Sequence, residues 1–103
     1  WDLELSLAFA RRIKQVNPKV ITVFGGPNYP ITSDEQKEFL KCHPEIDFYI
    51  ELEGEHGFVD LVSKLEVYEF DLLRFKTSGE LPINTNYLLN GKLNAAIVLE
   101  SSA

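Results

Sequence analysis

The sequence predicts an α/β fold in which strands alternate with amphipathic helices, followed by a β-hairpin. Two strand candidates, 20–24 and 47–50, are rich in β-branched or aromatic residues, and each is flanked by segments with helical apolar spacing. Strands that alternate with helices are joined by right-handed crossovers and form a parallel sheet. Nearer the C-terminus, Asn90-Gly91 lies between two short β-prone segments, which is the strongest short-range sign of a hairpin.

The first helix is predicted over residues 2–17, where apolar side chains fall on one broad arc. Asn17-Pro18 ends it, because the residue before a proline avoids the helical region. Since a full helix opens the chain and no initiator methionine precedes Trp1, we expect this sequence to be the later part of a larger domain.

The second helix is predicted to begin at Thr32 or Ser33, with Ser33 and Gln36 forming a capping box. His43-Pro44 ends it. A third helix follows the second strand and carries a core-facing stripe formed by Phe58, Leu61, Val62 and Leu65. Residues 67–75 are predicted as a further short helix, with a break at 77–79. The hairpin strands are expected at 86–89 and 92–98.

Composition limits the function. The 103 residues carry a net charge of −6, which argues against nucleic-acid binding because phosphate contacts need Lys and Arg. No apolar run approaches the roughly 20 residues of a membrane span, and no secretory signal is apparent. The single Cys42 excludes an intramolecular disulfide and any multi-cysteine metal site. We expect a cytoplasmic protein with an acidic, solvated surface.

The turn Gly25-Gly26-Pro27 closes the first strand. In open α/β sheets, ligands bind beyond the carboxyl ends of the strands, and glycines there let a backbone approach a flat or anionic ligand. The same glycines also suit a tight turn that needs a positive φ, so binding and plain geometry both stay open. The turn is neither a G-x-G-x-x-G fingerprint nor a P-loop.

The second strand runs into an acidic stretch formed by Glu51, Glu53 and Glu55 around Gly54. Close carboxylates can do acid–base chemistry or hold a cation, but such a run is more typical of a solvated loop and the first turn of a helix. No catalytic residues and no metal ligands are predicted from the remaining candidates. These candidates are two histidines without a second ligand at metal spacing, a cysteine at a helix end and two strand-end aromatics: His43, His56, Cys42, Tyr29 and Tyr49.

The order of motifs resembles the latter half of the cobalamin-binding domain that precedes the catalytic barrel of many radical S-adenosylmethionine enzymes. The resemblance covers most of residues 5–93. It is specific because the motifs occur together in this order, whereas each motif alone is weak. The matching segments are a helix ending in Asn17-Pro18, Val23-Phe24-Gly25-Gly26-Pro27, a Thr/Ser-capped helix, Ile46-Asp47-Phe48-Tyr49-Ile50, Glu53-Gly54-Glu55, and Leu81-Pro82-Ile83 before the hairpin.

The resemblance implies part of a flavodoxin-like, doubly wound sheet in three α/β/α layers. It divides the chain into a partial cobalamin-binding-like domain, 1–76, and a linker and hairpin leading to an absent catalytic barrel, 77–103. The Gly-Gly turn of that family lies against the nucleotide tail of cobalamin, and the resemblance implies this role for Gly25 and Gly26. Pro27, Glu53, Gly54 and Glu55 complete the implied cofactor-binding set, with the last three at the nearby strand edge. S-adenosylmethionine and an iron–sulfur cluster would belong to the downstream domain of the parent enzyme, which we expect to be a methyltransferase or a ring-forming enzyme.

The sequence departs from this family in places. Leu52 replaces the first glycine of Gly-Glu-Gly-Glu, and Ile83 replaces a glycine after the linker proline. The Asp-x-His-x-x-Gly segment and the clustered cysteines are absent from the sequence, so this chain alone is not expected to be an enzyme. The alternative is a Rossmann-like interaction or scaffold module that has lost cofactor binding. Uncovered sheet edges and apolar helix faces also predict that copies of the chain pair in solution.

Overall fold

The computed structural model describes residues 2–26, 29–51 and 54–96. Within these ranges the chain forms four helices and four strands. In chain order they are α1 (Leu3–Val16), β1 (Val23–Gly25), α2 (Ser33–Cys42), β2 (Phe48–Ile50), α3 (Gly54–Val67), α4 (Leu72–Ser78), β3 (Thr85–Leu89) and β4 (Lys92–Ala95). No helix in the described ranges is long and apolar enough to cross a membrane.

The strands form one open sheet in the order β1-β2-β3-β4. Strands β1 and β2 are parallel, with Phe24 opposite Tyr49. Strand β3 runs antiparallel to β2, with Asn86 opposite Tyr49, and β4 returns antiparallel to β3. The predicted α/β fold, consistent with part of a Rossmann or flavodoxin-like sheet, is confirmed, and the hairpin extends the same sheet as the parallel pair.

The Asn90-Gly91 hairpin is confirmed. Both turn residues have positive φ, 52° at Asn90 and 75° at Gly91. Such a pair is typical of the type I′ turn, whose twist matches that of the flanking strands. Residues 97 and 98 of the second predicted strand lie outside the described ranges.

Helices cover both faces of the sheet, which gives the three predicted layers. Helices α3 and α4 pack on one face around a core of Phe48, Ile50, Leu61, Leu65, Phe75 and Tyr87. Helices α1 and α2 pack on the other face around Leu7, Leu40, Ile46 and Tyr49. Because successive side chains of a strand point to opposite faces, β2 supplies both cores: Phe48 and Ile50 to the first, Tyr49 to the second.

One side of α1 and the outer edge of β1 are left uncovered by the described residues. Leu5, Phe9 and Val16 are exposed by 63%, 65% and 73%, although the helical pattern places them with Leu7 on the apolar arc. Leu5 and Phe9 border a groove of about 530 Å³ between α1 and residues 20–25. The expectation of an uncovered edge and apolar helix face is therefore confirmed for this part of the chain, while pairing of copies stays a prediction.

Helix α2 begins at Ser33, as predicted, but its cap differs from the prediction. Thr32, and not Ser33, is the N-cap, since its hydroxyl accepts a hydrogen bond from the Glu35 backbone N–H at 3.3 Å. The Thr32 hydroxyl also lies 2.8 Å from the Glu35 carboxylate. The cap therefore lies one residue earlier than the Ser33/Gln36 box. Gln36 is consequently free of a capping role, and its side chain turns inward.

The predicted short helix over 67–75 is present but shifted. Helix α3 continues to Val67, and α4 begins at Leu72 with Asp71 as its N-cap. Between them Glu69 and Phe70 have positive φ values of 56° and 58°, which a right-handed helix does not accommodate. The break predicted at 77–79 is correct only at Gly79, a left-handed C-cap with φ 82°, because Thr77 and Ser78 belong to α4.

Candidate functional site

The candidate site lies at the carboxyl ends of the parallel strands β1 and β2. Gly26 follows β1 with a φ of 138°, a conformation that side-chain-bearing residues rarely adopt. At Gly25 a Cβ atom would meet, among the described residues, only the Ile50 carbonyl oxygen, at 3.4 Å. The turn is held from the sheet side, because the Tyr49 hydroxyl donates to the Gly26 carbonyl over 2.9 Å. The Gly-Gly turn thus combines a backbone requirement at Gly26 with open space at Gly25.

An aromatic group stands next to this turn. The half-buried Tyr29 stacks on the fully buried Tyr49 ring, with centroids 3.9 Å apart and planes 11° from parallel. Phe39 of α2 meets both rings edge-on, at 5.5 Å from Tyr29 and 5.9 Å from Tyr49. The sequence interpretation of Tyr29 and Tyr49 as ordinary strand-end aromatics missed this stack.

A buried polar group lies beside the aromatic one. Glu51, just after β2, accepts a hydrogen bond from the Asn86 amide over 2.9 Å and another from the Gln36 amide over 3.3 Å. Gln36 also donates to the Pro30 carbonyl over 2.9 Å. We call the five side chains Tyr29, Gln36, Tyr49, Glu51 and Asn86 the carboxyl-edge cluster.

Two polar atoms of the cluster are buried without a hydrogen-bond partner among the described residues: Tyr29 Oη and Asn86 Oδ1. Asn86 is fully buried. A buried acceptor left without a partner costs about 1–3 kcal/mol, so Asn86 Oδ1 is a natural contact point for a ligand.

The cluster favours neutral tyrosines. Burial raises the pKa of the Tyr29 hydroxyl well above its ordinary value, and the neighbouring Asn86 side chain opposes this only in part. Burial, and then the charge of Glu51, raises the pKa of Tyr49. The site therefore offers an aromatic face and a carboxamide acceptor. That is the chemistry of a binding site for a planar, hydroxyl-bearing group.

The predicted site residues fare unevenly. Gly25 and Gly26 lie at the cluster, whereas Pro27 and Glu53 lie outside the described residues. Gly54 begins α3, and Glu55 occupies its exposed first turn, as the sequence predicted for Glu55. Glu51 separates from the acidic run, because its side chain turns into the cluster.

The other candidates have local roles. His43 is the C-cap of α2 and lies 3.5 Å from the Glu45 carboxylate, while Cys42 and His56 are exposed. In the ranges that the structure describes, no group of three or more His, Cys, Asp or Glu side chains could hold a metal ion.

Sequence reasoning missed Gln36 and Asn86 as site residues. Gln36 fitted a capping motif, and Asn86 fitted a hairpin strand. The signal for Asn86 was available: it is an amide in a β-prone segment, placed at the alternation that faces the helices with Leu88. An inward-facing amide needs a buried partner, and Glu51 is that partner.

Comparison with known proteins finds similarity to methyltransferases. No protein-family profile matches this chain. It is 32% identical over 62 residues to 2-(S-pantetheinyl)-carbapenam-3-carboxylate methyltransferase of Streptantibioticus cattleyicolor, an alignment that covers 60% of this chain and 9% of the relative. It is also 32% identical over 63 residues to the cobalamin-dependent radical SAM methyltransferase TokK of Streptomyces tokunonensis, covering 61% of this chain and 9% of that protein. The chain thus matches less than a tenth of the length of either relative.

Proposed function

We propose that this chain is the later part of a corrinoid-binding domain and that its carboxyl-edge cluster holds the nucleotide tail of cobalamin. The observation that carries the proposal is a buried acceptor without a partner among the described residues, Asn86 Oδ1, beside a Gly-Gly turn at the carboxyl ends of two parallel strands. Ligands of open α/β sheets bind at such edges. The similarity to a cobalamin-dependent radical SAM methyltransferase supports a corrinoid as the ligand.

The residues present fit such a group. Gly25 leaves room for close approach, because a Cβ there would meet only one carbonyl oxygen at 3.4 Å. The Tyr49 face can stack on a planar base, and Asn86 Oδ1 can accept from a sugar hydroxyl. When bound, cobalamin supplies alkyl-transfer chemistry at its cobalt. The residues of this chain bind and orient the tail.

The other residues predicted for the cofactor site keep the same proposed role. Pro27 would rigidify the turn after Gly26, and Glu53, Gly54 and Glu55 would line the neighbouring edge where α3 begins. The catalytic step, S-adenosylmethionine and an iron–sulfur cluster would belong to a barrel downstream of the linker and hairpin, 77–103, in a methyltransferase or ring-forming enzyme. Within this scheme, 1–76 supplies most of the cofactor-holding residues, and Asn86 of the hairpin adds one more.

A scaffold module that has lost cofactor binding is the second candidate. One observation favours it: the Tyr29 ring fills the space over Tyr49 that a planar ligand would need. In that case the cluster would serve only to fix α2 and the turn on the sheet.

Corrinoid binding separates the two candidates. The intact protein is reconstituted with cobalamin, freed of excess ligand and examined by absorption spectroscopy. We expect a retained corrinoid spectrum, and about tenfold weaker binding in Gly25→Val, corresponding to about 1.4 kcal/mol, because the isopropyl group occupies the approach to the turn. Ser63→Val, on the exposed side of α3, adds bulk on the opposite face of the sheet and should bind as the unaltered protein does. Absence of any corrinoid spectrum would favour the scaffold module.

A further inference from the structure

The Tyr29 side chain packs unfavourably at its place over the Tyr49 ring. Aromatic pairs prefer offset or edge-to-face arrangements with centroids about 4.5–7 Å apart, yet Tyr29 and Tyr49 lie nearly face to face at 3.9 Å. In addition, the Tyr29 hydroxyl is buried, and its contact with the neighbouring Asn86 side chain falls short of hydrogen-bond geometry. Neither the ring nor the hydroxyl of Tyr29 therefore has a favourable environment over Tyr49.

The walls around Tyr29 are, by contrast, well fixed. Tyr49 is fully buried, and its hydroxyl is bonded to the Gly26 carbonyl over 2.9 Å. Asn86 is fully buried and donates to Glu51 over 2.9 Å. Phe39 projects from α2 against both tyrosine rings. These walls form a flat slot with an aromatic floor and an unused acceptor, Asn86 Oδ1.

We propose that Tyr29 occupies a stacking slot on Tyr49 and is displaced from it by a nucleoside-like group of the ligand. The planar ring of that group stacks on Tyr49, and a sugar hydroxyl donates to Asn86 Oδ1. The inference rests on the proposed corrinoid function, in which the group is the base and ribose of the nucleotide tail. It adds that tail binding competes with Tyr29, so the identity of this residue sets the affinity for the tail.

Competition between Tyr29 and the nucleotide tail predicts that two substitutions of Tyr29 change the affinity for the tail in opposite directions. Tyr29→Phe keeps the ring and removes the unpartnered hydroxyl, which makes the occupied slot more stable and weakens tail binding. Tyr29→Ala removes the ring, so the tail enters without displacing anything. A residue that merely contacted the ligand would weaken binding in both variants.

A comparison of two corrinoids isolates the contribution of the nucleotide tail to the binding affinity. Cobalamin carries the nucleotide and cobinamide lacks it, so the ratio of their dissociation constants in one variant reports on the slot and cancels any loss of folded protein. By absorption titration of the intact protein, we expect the preference for cobalamin to rise about tenfold in Tyr29→Ala, corresponding to about 1.4 kcal/mol, and to fall in Tyr29→Phe. If Tyr29→Ala does not fold, Tyr29→Leu also removes the aromatic ring while retaining apolar volume.

Tyr68→Ala is the matched control. Its ring lies 5.7 Å from Phe75 on the opposite face of the sheet, so its removal affects packing without touching the slot. Its preference for cobalamin should equal that of the unaltered protein. An unchanged preference in both Tyr29 variants, or a change in the same direction, overturns the displacement while leaving corrinoid binding intact. Failure of every form to bind either corrinoid overturns the proposed function and the displacement with it.

Discussion

The Lys14 ammonium lies 2.7 Å from Asp47 Oδ2 and joins the end of α1 to the entry of β2. The same carboxylate oxygen accepts from the Thr22 backbone N–H over 2.9 Å, and Lys14 also donates to the Val20 carbonyl over 3.0 Å. Asp47 is buried, so these partners replace the water that a carboxylate otherwise requires. The aspartate of the Ile46-Asp47 motif thus has a structural role at the end of the sheet opposite the candidate site.

Asp47→Asn should lower the free energy of unfolding by about 1.5–3 kcal/mol, the usual contribution of hydrogen bonds to a charged group. The amide cannot reproduce both the ion pair with Lys14 and the bonds from Thr22. Urea unfolding followed by circular dichroism measures the loss. Glu38→Gln neutralises an exposed carboxyl on α2 and should change stability by less than about 0.5 kcal/mol. Equal losses in the two variants would contradict a structural role for Asp47.

The two glycines of the turn should respond differently to alanine. Gly26→Ala forces a side chain onto a φ of 138° and should cost about 1–3 kcal/mol. Gly25→Ala meets only the Ile50 carbonyl oxygen, at 3.4 Å, and should cost less than about 1 kcal/mol. Thermal unfolding of the two variants in parallel tests the difference. If Gly25→Ala were the more damaging change, the turn would have a different conformation from the one seen here.

The turn at Gly25-Gly26 also shows which structural features could be predicted from the sequence. The strand before Gly25-Gly26 and the hairpin at Asn90-Gly91 were predictable, because apolar runs and turn residues act locally. The carboxyl-edge cluster was not, since Glu51, Gln36 and Asn86 come from three separate elements and meet only once β3 pairs with β2. Gln36 was misassigned because two overlapping capping motifs, one from Thr32 and one from Ser33, were compatible with the same residues.

In helix α1, the apolar sequence pattern does not determine which side chains are buried. Leu7 and Phe9 both belong to its apolar arc, but Leu7 is 1% exposed and Phe9 65%. Leu7→Ala should cost about 2–5 kcal/mol through the cavity it leaves against Leu40 and Tyr49. Phe9→Ala should cost less than about 0.5 kcal/mol, as for other exposed positions. Denaturant unfolding of this chain compares them, and a large loss for Phe9→Ala would mean that the groove beside α1 is covered in solution.

Asp60 of α3 fixes the segment that leads into β3. The Lys64 ammonium lies 2.8 Å from both of its carboxylate oxygens, and the Ile83 backbone N–H donates to Oδ2 over 2.8 Å. Burial alone would raise the pKa of the Asp60 carboxyl, but the bonds from Lys64 and Ile83 outweigh it and lower the pKa below its ordinary value.

This shift predicts how stability depends on pH. A lowered native pKa means that the unfolded chain takes up the proton first, at a pKa of about 3.9, so the contribution of Asp60 is present above that pH and is lost as the pH falls through the lower native value. Asp60→Asn should therefore be less stable than the unaltered protein at pH 7, and the difference should shrink in acid below about pH 4. Urea unfolding across this range, with Glu38→Gln as the control for an exposed carboxyl, tests it. A difference that stayed constant with pH would show that the Asp60 charge contributes nothing beyond the shape of its side chain.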